Sequence, residues 1–183
     1  MHPDLEALRY PIGKFEYGRP FSPETIRENI AAIALLPHSL AELVGTWDND
    51  CLDTPYRPGG WTVRQLVHHL ADSHLNAYLR TKLALTEDNP QVKGYNEAAW
   101  ADLPDSRLDV APSLHLLSNL HRRWVALLES MTDDQFRRTY YHPGYQRSYV
   151  LADVTGLYAW HGEHHYQHAR RLAQRNNWLG PVV

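Results

Sequence analysis

The nine residues from Trp160 to His168 read W-H-G-E-H-H-Y-Q-H and contain four histidines, His161, His164, His165 and His168. In a helix, His161 and His165 lie one turn apart, and so do His164 and His168. Two imidazoles one turn apart are a common arrangement for binding a metal ion. The spacing alone does not choose between the two pairs, and hydrogen-bonded core histidines are the alternative interpretation.

The surrounding positions indicate which way these side chains point. At about 100° per residue, His161, His165 and His168 continue an apolar stripe of the same helix, with His164 at its edge. The apolar members of the stripe are Val154, Leu157, Tyr158 and Leu172. The stripe predicts that these imidazoles face the protein interior, where each ring nitrogen needs a partner.

An earlier segment offers a third ligand. The sequence G-G-W-T-V-R-Q-L-V-H-H-L-A-D-S-H contains His68, His69 and His74. A helical wheel places His74 near the centre of the main apolar stripe and His69 about 120° away. That stripe consists of Val63, Leu66, Val67, Leu70 and Ala77, and a second apolar face consists of Leu75, Leu79 and Leu83. Periodicity alone therefore prefers His74, although a broadly buried helix would also bury His69.

Apolar periodicity and capping residues predict four long helices that position these histidines. Their expected ranges are Ser22 to Trp47, Thr62 to Glu87, Ser113 to Met131 and Tyr149 to Asn176. Ser22 and Ser113 are the predicted caps, and Pro37 is expected to kink or divide the first helix. Residues 1–22 form a predicted irregular arm, and residues 88–112 a long loop with at most a short helix at 96–101. Without convincing strand alternation, the sequence predicts an all-α four-helix bundle, with residues 1–183 as one domain.

The composition excludes several functional classes. The 183 residues suit one domain, and 43% apolar and 21% charged residues are ordinary for a globular protein. A net charge of -3 without a basic stripe argues against nucleic-acid binding. No secretory signal and no run of about 18 apolar residues is present, so we expect neither export nor a membrane span. Cys51 is the single cysteine, which fits a reducing cytoplasm.

Several segments of the chain resemble one known family. They are L-D-T-P-Y-R-P-G-G-W-T-V-R-Q-L-V-H-H-L-A-D-S-H at residues 52–74, the following L-N-A-Y-L-R-T-K-L-A-L-T-E, L-Y-A-W-H-G-E-H-H at 157–165, and Y-P-I-G-K-F-E near the N-terminus. In combination they are similar to the signature segments of the YfiT-like branch of the DinB superfamily of metal-binding helical bundles. The resemblance covers nearly the whole chain.

The resemblance implies a fold and a ligand set. It implies a four-helix bundle of the DinB/YfiT type with one divalent metal ion per chain, held by His69, His161 and His165. It thus selects His69 over His74, and the 161/165 pair over the 164/168 pair. It also implies a homodimer. Zinc is the expected metal and nickel a possible one, because imidazole ligands suit both.

The same resemblance implies a metal-dependent hydrolase that acts on a small molecule. Three imidazoles leave a zinc ion with one further position, where a bound water becomes nucleophilic near neutral pH. A first alternative is a thiol S-transferase of the bacillithiol type, which would activate a low-molecular-weight thiol there. A second is a non-catalytic metal-binding bundle, which would be favoured if His74, His164 or His168 closed the coordination sphere.

The remaining polar residues give weaker signals, and no residue is assigned to the chemical step. Asp72 follows His69 by three residues and is a candidate for orienting that imidazole. Glu163 lies about 200° around the helix from His161, so we expect it to point away from the metal. Histidines outside the two clusters are expected to be ordinary polar residues, namely His115, His121 and His142.

Overall fold

Four long helices form the body of the protein in the computed structural model, which describes residues 5–179. They are α2 (Pro23–Val44), α4 (Val63–Thr86), α6 (Ala111–Glu129) and α8 (Leu151–Arg175). The shorter helices are α1 (Leu5–Arg9), α3 (Asn49–Leu52), α5 (Glu97–Ala101) and α7 (Asp133–Phe136), and Pro104–Arg107 forms a 3₁₀ turn. The predicted all-α four-helix bundle is confirmed. In the described part of the chain, no helix combines the length and apolarity needed to cross a bilayer.

The helix starts follow from capping side chains. The Ser22 hydroxyl accepts the backbone N–H of Thr25 at 3.1 Å, and Thr62 begins α4 with a capping box closed by Gln65. The predicted cap at Ser113 is wrong. There α6 begins after Val110, and the Ser113 hydroxyl instead lies 2.7 Å from Nδ1 of His68.

Pro37 does not divide the first long helix. It lies inside α2, which continues through it to Val44. Because proline has no N–H, the carbonyl four residues earlier, that of Ile33, loses its helical donor. The structure supplies a substitute donor, since Nδ1 of His121 lies 2.6 Å from the Ile33 oxygen.

The bundle core consists of two apolar clusters with a layer of histidines between them. Helices α2 and α4 each pack against both α6 and α8, which places α2 across the bundle from α4. One cluster is built around Ile33, Trp124 and Tyr158, and the other around Leu40, Leu70 and Leu117. Since the helices run through both clusters, the positions between them are buried as well. His69, His74, His121, His161 and His165 contact one another in this layer.

A β-hairpin, which the sequence pattern did not predict, connects the end of α7 to α8. Strands β1 (Thr139–His142) and β2 (Arg147–Val150) pair antiparallel, with Thr139 opposite Val150. Each strand has only four residues, too few for alternation to stand out from turn chemistry. The hairpin also contacts the loop after α4. The backbone N–H of Tyr141 donates to the Pro90 carbonyl, and the Tyr141 carbonyl accepts from the Val92 N–H, both at 2.9 Å.

The predicted N-terminal arm is mostly irregular where it is described. It contains the one-turn helix α1, which the prediction lacked, and otherwise turns and extended backbone up to Ser22. Residues 1–4 of this arm and residues 180–183 of the predicted domain lie outside the described residues.

Candidate metal centre

Three histidines from two helices converge in the buried layer. His69 of α4 and His161 and His165 of α8 each offer one ring nitrogen, and these three atoms all lie within 4.8 Å of one another. The Nε2 atoms of His69 and His161 are 3.3 Å apart. His69 is 5% and His165 8% exposed. Residues 92 positions apart in sequence thus meet because α4 packs against α8.

Periodicity placed His69 away from the centre of the apolar stripe, yet its ring is buried. The reason is that α4 is buried over a broad arc, including Arg64, His68 and Ser73. The indole of Trp61, just before the helix, lies 4.8 Å from the His69 ring, measured between ring centroids. A wheel built on one stripe misjudges a helix that is covered on several sides.

The protonation state of the three rings suits metal binding. Burial lowers the pKa of His69 to about 4. Burial, followed by the neighbouring histidines, holds the pKa of His161 and His165 well below the usual range. All three rings are therefore neutral near pH 7, and a neutral imidazole has a lone pair for a metal ion.

The donor set and its spacing fit a divalent metal ion. Two nitrogens bound tetrahedrally to one zinc ion at about 2.1 Å are separated by about 3.4 Å. The 3.3 Å between the Nε2 atoms of His69 and His161 agrees with that separation. Three imidazoles are also the protein ligand set of one class of catalytic zinc site.

The other histidines do not join this set. Nε2 of His74, the residue preferred by periodicity, lies 3.2 Å from Nδ1 of His161, on the side of the ring away from His69. His164 and His168 contact each other, with their Nε2 atoms 3.2 Å apart. Among the described residues, the group that could hold a metal ion consists of His69, His161 and His165. A fourth protein ligand, which the non-catalytic alternative requires, is not present in it.

His121 is not the ordinary polar residue that was predicted. It is 2% exposed, and its two ring nitrogens contact the Ile33 carbonyl and the ring of His74. Burial lowers its pKa to about 4. Its helix spacing gave no signal of this role, because the partners belong to α2 and α4.

A cleft of ≈ 480 Å³ leads to the three rings. Besides the histidines, its lining includes two tryptophans, two arginines and one carboxylate: Trp61, Trp160, Arg9, Arg57 and Glu97. Sequence reasoning missed the charged ones. Arg9, Arg57 and Glu97 come from three separate segments, so no spacing connects them. Desolvation raises the pKa of Glu97, against the opposing charge of Arg80.

The two acidic candidates from the sequence lie elsewhere. No hydrogen bond joins the Asp72 carboxylate to His69 in the described part of the chain, so the structure does not support Asp72 as the residue that orients that ring. Burial and the charge of Asp105 raise the pKa of Asp72 to about 6. Glu163 is exposed and accepts a hydrogen bond from Gln167 at 2.8 Å, which agrees with its expected position away from the metal.

The fold and the histidine cluster together define the class of protein: a helical bundle with three histidines that could hold a metal ion. The chain matches the family model of the DinB superfamily over residues 32–169, and it belongs to that superfamily.

Individual relatives match over almost the whole chain. A protein of Bacillus cereus strain G9842 with the name "Putative metal-dependent hydrolase" is 53% identical over 174 residues, which are 95% of this chain and 100% of that protein. A Bacillus anthracis protein of the same description is 52% identical over the same shares. The solved structure of YfiT from Bacillus subtilis, described as "a probable metal-dependent hydrolase with an unusual four-helix bundle topology", superimposes with a TM-score of 0.92 at 46% identity. It matches 94% of this chain and 99% of that one.

Proposed function

We propose that the protein is a metal-dependent hydrolase whose single divalent ion is held by His69, His161 and His165. The observation that carries the proposal is the convergence of these three neutral imidazoles, within 4.8 Å of one another, on a cleft. The descriptions of the Bacillus cereus relative and of YfiT support the same activity. Among the residues searched, 5–179, the group has three histidines and no fourth protein ligand, which supports a catalytic rather than a purely structural metal.

When bound, a zinc ion with three imidazole ligands supplies an acidified water and a Lewis acid for a substrate carbonyl. The chain contributes the surroundings of that position. Trp61 and Trp160 line the cleft with apolar rings, and Arg9 and Arg57 can bind polar or anionic groups of a small substrate. Among the described residues lining the cleft, Glu97 is the carboxylate that can accept or return a proton.

Metal identity and assembly are separate predictions. Zinc fits a three-imidazole site and its tetrahedral spacing, and nickel accepts the same ligands. Metal analysis of the purified protein distinguishes the two. The homodimer expected from the family resemblance stays a prediction, which light scattering in solution checks.

The activity is tested with the zinc-loaded protein on a panel of small ester, amide and phosphoester substrates. We expect hydrolysis by the wild type and loss of activity in His165→Ala. Glu97→Gln should lower kcat by about 10²–10⁴-fold if the carboxylate transfers a proton. Glu163→Gln is the matched control, since this acid lies on the outer face of the same helix and should not change kcat.

An electrophile offered together with low-molecular-weight thiols completes the experiment. If turnover requires the thiol and yields a thioether, the activity is thiol transfer rather than hydrolysis. Thiol transfer would use the same three ligands. Stoichiometric metal without turnover in either assay would favour the non-catalytic alternative.

A further inference from the structure

Three histidine rings form a continuous chain of contacts from a backbone carbonyl to the candidate metal centre. Nδ1 of His121 lies 2.6 Å from the Ile33 oxygen, and Nε2 of His121 lies 2.9 Å from Nδ1 of His74. Nε2 of His74 in turn lies 3.2 Å from Nδ1 of His161. Ile33, His121, His74 and His161 belong to α2, α6, α4 and α8, so each long helix contributes one member.

The carbonyl at the far end determines the position of every proton in this chain. A carbonyl oxygen only accepts, so His121 must donate from Nδ1. A neutral imidazole has one N–H, and Nε2 of His121 therefore accepts the Nδ1–H of His74. By the same rule, Nε2 of His74 accepts the Nδ1–H of His161. The Nε2 atom of His161 is left with a lone pair, and this is the atom that lies 3.3 Å from Nε2 of His69.

The Ile33 carbonyl, which ends this row of histidine contacts, is available as an acceptor because of Pro37. In an uninterrupted helix the Ile33 carbonyl would accept the N–H of residue 37, and proline has none. A buried carbonyl without a donor is costly, and the Nδ1–H of His121 satisfies it. A proline in the interior of α2 thereby provides an acceptor for a side chain of α6.

The surroundings keep the rings neutral. His74 is 0% and His121 2% exposed, and among the described residues no carboxylate contacts either ring. Burial lowers the pKa of His121 to about 4. A second proton on His74 or His121 would place two N–H groups against each other and break the chain of acceptors.

We propose that His74 and His121 are positioning residues that hold His161 as the Nδ1–H tautomer, with its Nε2 lone pair directed at the metal. This inference rests on the proposed metal site. A hydrogen bond from the non-ligating nitrogen fixes the orientation of a ligand imidazole and raises its basicity. His165 differs, because its Nδ1 is buried without a hydrogen-bond partner among the residues that the structure describes. The relay of Ile33, His121 and His74 thus makes His161 the anchored ligand of the site.

The first test measures zinc affinity by competition with a fluorescent chelator. His74→Phe keeps a ring of similar size but removes both contacts, and we expect its zinc Kd to rise by about 10- to 100-fold. His74→Gln should restore much of the affinity, because its amide oxygen can accept from His161 while its amide nitrogen donates to His121. The matched control is His68→Phe, a buried histidine of the same helix whose partners are Ser113 and the Leu108 carbonyl. Its zinc affinity should equal that of the wild type.

The second test observes the tautomer directly by ¹⁵N NMR of the full-length, metal-free protein with labelled histidine. We expect His161, His74 and His121 each to have a protonated Nδ1 and an unprotonated Nε2. In His74→Phe, the His161 signals should shift toward a mixture of tautomers. A wild-type spectrum with Nε2 of His161 protonated would overturn the relay, whether or not any variant folds.

The two proposals fail in different ways. If His161→Ala binds zinc like the wild type, the proposed metal site itself is wrong. If His161→Ala loses zinc while His74→Phe and His121→Phe keep wild-type affinity, the metal site stands and the relay is wrong.

Discussion

The two histidine pairs of α8 have the same spacing but different surroundings. His161 and His165 meet a third histidine, His69, from α4. His164 and His168 contact each other and are covered by aromatic rings. Trp160 stacks on His164 at 4.6 Å between ring centroids, and Tyr56 lies edge-on to His168 at 4.2 Å.

The difference shows that a spacing of four residues is only half of a metal site. It brings two nitrogens together, and both pairs satisfy it. The other half is a third donor and support for the rings, which come from other helices. Nδ1 of His161 has a partner in His74, whereas in the described part of the chain Nδ1 of His164, His165 and His168 is buried without one. Contact with α4 therefore makes His161 and His165 a candidate ligand pair, whereas His164 and His168 are packed among aromatic rings.

The largest expected effect tests this distinction. His161→Ala and His165→Ala should lower bound zinc from about one ion per chain to near zero, because two imidazoles are too few for a stable site. His164→Ala and His168→Ala should bind zinc as the wild type does. Metal analysis after gel filtration measures both. Zinc retained by the first two variants and lost by the second two would reverse the assignment of the pairs.

A second prediction concerns what the two groups of histidines share, which is desolvation. Burial lowers the pKa of His121 to about 4 and that of His168 to about 3, whereas in the unfolded chain histidine has a pKa near 6.5. Below that value the unfolded state binds protons that the folded state does not, so stability is full above about pH 6.5 and falls as the pH drops toward 4.

Between pH 6.5 and pH 5, one such histidine removes about 1.6 kcal/mol from the free energy of unfolding. Urea unfolding of the metal-free protein at both pH values measures the loss. His121→Gln should make the pH dependence shallower by about that amount. If the free energy of unfolding has the same pH dependence in the variant and the wild type, the His121 ring is not desolvated as the structure indicates.

A third, smaller effect concerns Gly162, which follows His161 in α8. Gly162 faces α2, and a Cβ built there would lie 2.5 Å from Cδ2 of Leu36. Gly162→Ala should therefore destabilise the protein by about 1–3 kcal/mol through overpacking. It should also weaken zinc binding, because α8 must move away from α2. Gly156→Ala is the control in the same helix, since its nearest neighbour is the end of the Asn29 side chain at 3.3 Å. An equal fall of the melting temperature in both variants would contradict a close contact specific to Gly162.

Most of the bundle could be predicted from the sequence because its signals are local. Helix periodicity and caps such as Ser22 and Thr62 depend on residues within a few turns, and the four long helices begin and end within about three residues of the predicted bounds. The spacing of His161 and His165 is a local signal of the same kind. The choice of His69 came from family resemblance, since periodicity favoured His74.

What the sequence did not reveal depends on contacts between distant segments. His121 acquires its role from Ile33 and His74, which lie 88 and 47 positions away. The cleft residues Arg9, Arg57 and Glu97 share a surface only after the chain has folded. The hairpin was missed because its strands are short, and its pairing depends on a turn that also reads as loop.

That hairpin has a mechanical consequence for the cleft. Its strand β1 is bonded to the backbone of Pro90 and Val92, a few residues before Glu97, so the rim that carries this carboxylate is held from outside the helical body. Arg138, at the start of the hairpin, also donates to the carbonyl of Glu87 at the end of α4. The rim and the end of that helix are therefore clamped by one small accessory element. A substitution that unfolds the hairpin would loosen the entrance of the cleft while the histidine layer keeps its shape.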